Sequence, residues 1–262
     1  MNDKLSIQNS IQFKEFLDEK VVQYNNVAFI SSDPIQVPHR FTKKEDIEIA
    51  AFLSAMIAWG QRPTIIRNAN RMVELMEGCP ADFILQFEEE DLNPFMEFVH
   101  RTFNGYDFIY FLKALRNIYT NHGGLEEVFV KGFRQEDSIY GALKFFRKVF
   151  FEKVEAGRTG KHVSDVATNS SAKRLNMFLR WMVRQDKTGV DFGLWKKIPP
   201  SALMIPLDVH TGNTARKLGL LTRRQNDWKA VEELTSVLRT FDINDPVKYD
   251  FALFGLGVFE KF

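Results

Sequence analysis

The sequence predicts an all-α protein. Apolar residues recur at three- and four-residue spacing through most of the chain, as on one face of a helix. No set of alternating strands is found. The 15 Gly and 9 Pro in 262 residues are few and fall mainly between the periodic runs. About ten helices joined mostly by short loops follow from this pattern.

Taken in order, residues 31–41, SSDPIQVPHRF, read as an irregular loop with two prolines. Thr42 and Glu45 have the spacing of a capping box, so a helix is expected to start there. From Ile47 to Trp59 that helix is apolar on nearly all sides, which places it at the centre of a domain. Gly60 and Pro63 bracket its end. The next run carries Ile65, Ile66, Ala69, Met72, Val73 and Met76 on one side. A further run carries Phe108, Phe111, Leu112, Leu115 and Ile118, then stops at two glycines. The stretches SIYGALKFFRKVFFEKV, SSAKRLNMFLRWMVRQ, NTARKLGLL, WKAVEELTSVLRTF and DPVKYDFALFGLGVFEKF behave alike. Residues 152–171 read as a flexible connection and residues 186–206 as a long Pro-rich connector.

Composition bounds function. The length allows one large domain or two modest ones. A lone cysteine, Cys79, supplies neither an internal disulfide nor a cysteine-ligated metal. No apolar run is long enough to span a bilayer, and the first residues lack a signal-peptide centre, so a reducing cytoplasm is expected. The five histidines (His39, His100, His122, His162, His210) are scattered, so neither a metal nor a cofactor is expected. Net charge is only +1, but its distribution is uneven. Residues 77–97 hold seven acids and no Lys or Arg, whereas residues 158–224 hold thirteen Lys or Arg against four acids. The second segment, at a net +9, either attracts phosphates or is a solvated face with scattered charge.

Two positions stand out. In NSSAKRLNMFLRWMVR (169–184), Ser170 or Ser171 is the expected N-cap, and Lys173 falls in the first helical turn. There the positive end of the helix dipole disfavours an ammonium, and in a partly dry site a neutral nucleophile becomes accessible. Lys173, Met177, Arg180 and Arg184 share one side of that helix, away from Leu175, Phe178, Leu179 and Met182. Asp208 precedes a short helix that ends at Gly219, and as N-cap it accepts from first-turn amides. His210, Asn213, Arg216 and Lys217 crowd that helix and suit phosphate or carboxylate contacts. The alternatives are a surface lysine and a plain cap. A third cluster, His100, Arg101, Asn104 and Asp107, reads foremost as a helix-start cap built on Asn104 or Asp107.

The run PLDVHTGNTARKLGL (206–220) resembles the aspartate motif of the helix-hairpin-helix DNA glycosylases. In that motif Asp, His two residues on, and a basic-Leu-Gly close fall on Asp208, His210, Lys217, Leu218 and Gly219. EIAAFLSAMIAWGQRPTIIRNANRMVEL is similar to the family's early helix pair, with Leu53, Ser54 and Gln61 in its marked places. DPVKYDFALFGLGVFEKF looks like the late family helix, and SSAKRLNMFLRWMV resembles the lysine helix of the archaeal 8-oxoguanine branch. Together these cover about half the chain. A glycine-rich hairpin precedes the lysine in that family; here VSDVATNSS stands in its place.

The resemblance implies a bilobal all-α fold with a cleft between a central lobe (62–200) and a lobe built from 1–61 plus 201–262. It implies that Lys173 attacks C1′ of a damaged nucleotide and that Asp208 aids proton transfer and stabilises positive charge on the sugar. A flipped base needs a stacking wall, for which Trp59, Phe178 and Trp181 are the candidates; the alternative is that all three are core aromatics. Gln61 and His210 would complete the substrate contacts. Arg180, Arg184, Asn213, Arg216 and Lys217 would meet the backbone of a DNA partner, duplex or single-stranded. The competing expectations are a non-catalytic nucleic-acid binder on the same scaffold and a helical protein-interaction scaffold.

Overall fold

The computed structural model describes residues 2–153 and 156–262, with side chains from residue 12 onward. The described chain is mainly helical. In order it comprises α1 (Asn2–Tyr24), α2 (Val27–Ile30), α3 (Lys44–Met56), α4 (Arg62–Leu75), α5 (Pro80–Gln86) and α6 (Gly105–Asn121). Then follow α7 (Leu125–Glu136), α8 (Ile139–Phe150), α9 (Lys173–Val183), α10 (Val209–Lys217), α11 (Trp228–Phe241) and α12 (Tyr249–Phe259). Strand is confined, among the described residues, to a minimal antiparallel hairpin, β1 (Val99–His100) and β2 (Phe103–Asn104), with Val99 opposite Asn104.

The all-apolar helix is central, as its sequence demands. Every residue of α3 from Ile47 to Met56 is buried, and the helix packs on α4, α5 and α9. Phe52 sits at the middle of an aromatic cluster, with the rings of Phe111, Phe146, Phe150 and Phe178 all within 6 Å of its own. Edge-on and tilted ring pairs of this kind add to simple area burial, which gives the abundant phenylalanines a structural use. Glu48 is the buried acid of α3. It accepts from Tyr119 Oη at 2.7 Å and from Trp195 Nε1 at 2.7 Å, and Lys44 lies 3.7 Å away. Burial still pushes its carboxyl above the ordinary glutamate range.

α3 starts differently from the sequence expectation. It begins at Lys44 with Lys43 as N-cap, and that cap makes no side-chain hydrogen bond. Thr42 therefore lies one residue outside the box that its spacing with Glu45 implied. Asp46 instead reaches across to the Ala81 amide at 2.8 Å and tethers the start of α5.

The two connectors are packed rather than loose. In 152–171, Val154 and Glu155 lie outside the described residues, but Thr159, His162, Val163 and Val166 are buried. In 186–206, Val190, Trp195, Ile198 and Leu203 are buried too, so apolar side chains at irregular spacing hold a segment that has little regular structure.

The carboxy-terminal helix α12 packs against α1 and α10. Its approach to α1 needs glycine, because a Cβ at Gly255 would sit 2.1 Å from the Tyr24 ring.

Candidate active site

A cavity of about 660 Å³ opens between α3–α4, the start of α9, the start of α10, and α12. Its size is typical of a small-molecule site. Lys173, Arg174, Met177 and Arg180 of α9 line one side, and Asp208 and His210 line another. Lys173 and Asp208, 35 residues apart in sequence, thus share one concavity.

Each is placed by its local backbone. Asp208 is the N-cap of α10, and its carboxylate accepts from the Thr211 amide at 2.9 Å. Asn226 Nδ2 donates to the Asp208 carbonyl at 3.1 Å. Gly219, at φ +72°, then ends the helix just beyond α10's last residue. Lys173 is the first residue of α9, but neither serine caps it. The N-cap is Ala172, fully buried and left-handed at φ +47°. A non-glycine residue in that region costs about 1–2 kcal/mol. The strained residue turns the chain sharply, so that α9 begins at the lysine. Ser170 serves the turn instead, its Oγ accepting from the Ala172 amide at 3.3 Å.

Besides Arg62, three further ionisable groups line the cavity that sequence reading did not pick out. Asp250 of α12 is buried and paired with Arg180. Burial pushes its carboxyl up to about 6, opposed by Arg180 and Lys173 and reinforced by the negative charge of Asp208. Asp33 caps the turn Pro34–Gln36, accepting from the Ile35 amide at 3.1 Å; burial pushes its carboxyl up as well. Arg174 donates to the Met56 carbonyl and lies 4.8 Å over the Trp59 ring. Burial pulls its guanidinium down to about 10. A lone acid in the otherwise apolar run YDFALFGLGVF was the available signal for Asp250.

The aromatic expectations divide. Trp59 lines the cavity and is held edge-on by His100 at 5.0 Å and stacked on His162 at 5.9 Å. Phe178 and Trp181 are fully buried in the core; Phe178 packs on Phe52 and Trp195. They point away because α9 turns its apolar face to α3. Gln61 is exposed and does not line the cavity.

The expected backbone contacts divide in the same way. Arg180 is 4% and Arg184 2% exposed. Arg180 Nε meets Asp191 at 3.2 Å. Arg184 meets Asp191 at 3.0 Å, Asp186 at 2.7 Å and Asp245 at 3.0 Å. These guanidiniums are consumed inside the fold, and Arg184 is not presented to any surface ligand. Burial alone would lower Arg180, and Asp191 and Asp250 reverse that effect. Asn213, Arg216 and Lys217 gather with His210 around a second depression of about 470 Å³. Arg216 is held there by the Arg223 carbonyl at 2.7 Å and Asn226 Oδ1 at 2.6 Å. Asn104 and Asp107 form the reciprocal cap of α6, as their spacing implied.

A known family profile, described as protein of unknown function (DUF2400), matches residues 33–259. The chain belongs to that family. The match takes in every ionisable group that lines the DUF2400 cavity, from Asp33 to Asp250. Neither the curated proteins nor the solved structures include a match to the DUF2400 chain. No helix among its described residues is long and apolar enough to cross a membrane.

Proposed function

We propose that this protein is a DNA-repair glycosylase with lyase ability, excising a modified base such as 8-oxoguanine through a Schiff base on Lys173. The observation that carries this reading is the convergence of Lys173 and Asp208 in one partly apolar cavity that Trp59 also lines. Among the described residues, no carboxylate lies within ion-pair distance of Lys173, so its amine is not committed to a structural pair. Addition of that amine to C1′ forms a C–N bond while the glycosidic bond breaks, and the base leaves with the electron pair. Asp208, held rigidly as a cap, supplies negative charge beside the sugar as positive charge grows there. Trp59 offers a face on which an extruded base stacks.

The resemblance of residues 206–220 to the aspartate motif supports the same assignment. The packing of α12 on α1 and α10 is consistent with a lobe built from both ends of the chain. α3 departs from that partition, since it packs on α4, α5 and α9. Residues 163–171 contain no glycine, so a target already unpaired or single-stranded is favoured over a tightly gripped duplex. The depression around Arg216 and Lys217 adds a sequence-independent phosphate contact, and affinity should fall steeply with salt.

The test is a panel of lesion-bearing oligonucleotides incubated with the protein and borohydride. A covalent adduct is expected with at least one lesion, and Lys173→Ala removes it. Asp208→Asn is expected to slow base release by about 10²–10³ while leaving affinity nearly unchanged. If no lesion yields base release or an adduct, the assignment fails.

A further inference from the structure

Asp33, Asp208 and Asp250 share the cavity with the lysine, and Asp208 and Asp250 differ sharply in surroundings. Asp208 is half-exposed at a helix start. Asp250 is buried on α12, within the electrostatic reach of both Lys173 and Asp208. Its position is over-determined. Arg180 joins it to Asp191, Asp191 joins Arg180 to Arg184, and Arg184 is tied to Asp186 and Asp245. This chain of buried ion pairs fixes α9, the 186–206 connector and the start of α12 against one another. A carboxylate held only for stability has no need of a cavity wall, yet Asp250 is one end of the chain and faces the space that Lys173 faces.

We propose that Asp250 is the acid–base residue of this cavity, exchanging a proton with the Lys173 amine as that amine adds to an electrophilic carbon of the ligand. The assignment rests on the glycosylase reading for the identity of that carbon, but not for the proton exchange itself. As the Lys173 nitrogen bonds to C1′ it becomes a positively charged secondary amine. It gives one proton to the Asp250 carboxylate, and the carboxylic acid then gives that proton to the departing base nitrogen, which has taken the electron pair of the broken C1′–N bond. No outside oxidant or co-reactant is needed.

Several charged and titratable groups share the cavity with Asp250 and set this exchange. Arg180 and Lys173 face it from α9, and Asp191 approaches through Arg180. Asp208 and His210, at the start of α10, and Asp33 and Arg62 line the same cavity. With a carboxyl at about 6, the residue is largely ionised at neutral pH and still returns its proton readily, as an acid–base group must.

Two measurements test the proposal on the full chain. In the first, Lys173 is labelled with trace acetic anhydride from pH 5 to 9, and the rate is read by mass spectrometry for the parent and for Asp250→Asn. The two rates should converge below about pH 6, where Asp250 is neutral. Above it the parent should react about tenfold more slowly, because an opposite charge nearby shifts an amine by about a unit or more. Identical profiles across the range overturn the proposal, provided circular dichroism shows the variant folded.

The second is single-turnover base release against pH. The parent should lose activity as pH falls through about 6, Asp250→Asn should lose that limb together with at least about a hundredfold in rate, and Asp250→Glu should restore part of both. A limb unchanged in Asp250→Asn overturns the proposal. Diverging labelling profiles without base release by the parent uphold the proton exchange and sink the glycosylase reading alone.

Discussion

The two ends of α9 carry the same kind of side chain on the same face and use it in opposite ways. At the carboxy-terminal end, Arg180 and Arg184 are buried and saturated by four aspartates. At the amino-terminal end, Lys173 and Arg174 line a cavity and, among the described residues, have no carboxylate within ion-pair distance. One end has its charge balanced by carboxylates of the fold, and the other does not. Spacing puts all these cations on one helix, and only the acids brought in by other elements decide which of them is structural.

Breaking the buried end should have the largest effect on the fold. Arg184→Ala strands Asp186 and Asp245 and leaves Asp191 with Arg180 alone. Removing one partner of a buried pair costs about 3–5 kcal/mol, so chemical denaturation should show a loss of that size. Lys173→Ala should instead cost under about 0.5 kcal/mol, as expected for a substitution outside the core, while abolishing the borohydride adduct. Equal destabilisation by the two would erase the contrast.

The junction between the two ends should respond to pH. Because the Asp250 carboxyl rises from an ordinary 3.8 to about 6, the folded protein binds its proton more tightly than the unfolded chain. The resulting stability is fully present below pH 4 and is lost as pH rises to about 6. Between those limits the parent should lose about 2–3 kcal/mol relative to Asp250→Asn, as read from denaturation midpoints at each pH.

Trp59→Leu sharpens the comparison at the open end. Loss of a stacking face should weaken binding of a single-stranded oligonucleotide by about 1–3 kcal/mol in a titration. The smallest effect is expected at the second depression. Lys217→Ala should lower the slope of log affinity against log salt by about one, with little dependence on sequence; an unchanged slope would remove that depression from the nucleic-acid surface.

Much of this was legible in the sequence. The all-apolar run of α3, the stop at Gly219, the reciprocal cap of Asn104 and Asp107, and the cap at Asp208 each follow from local chemistry, and the structure contains them; α3 itself ends at Met56, short of the stop expected at Gly60. The meeting of Lys173 and Asp208 rested on a resemblance, and the chain brings them together. What was not legible depends on partners distant in sequence. Arg184 looked available because its acids, Asp191 and Asp245, arrive from a connector and from the turn before α12. For Phe178 and Trp181 the sequence left wall and core both open, and the packing of α9 on α3 puts them in the core. Asp33 was hidden in a loop that read only as irregular. The hairpin of β1 and β2 was too short for any alternation to show. Ala172 escaped because a left-handed alanine has no residue-type signature, whereas a serine cap does.

The narrow crossing at Gly255 has a reach beyond its own helix. Where even a methyl group is refused, two helices can neither slide nor rotate independently, so the first helix of the chain acts as a fence for the last. Asp250 sits little more than a turn upstream of that crossing and inherits its depth from it. Enlarging position 255 would therefore be felt as a misplaced acid in a chamber that residue 255 never touches.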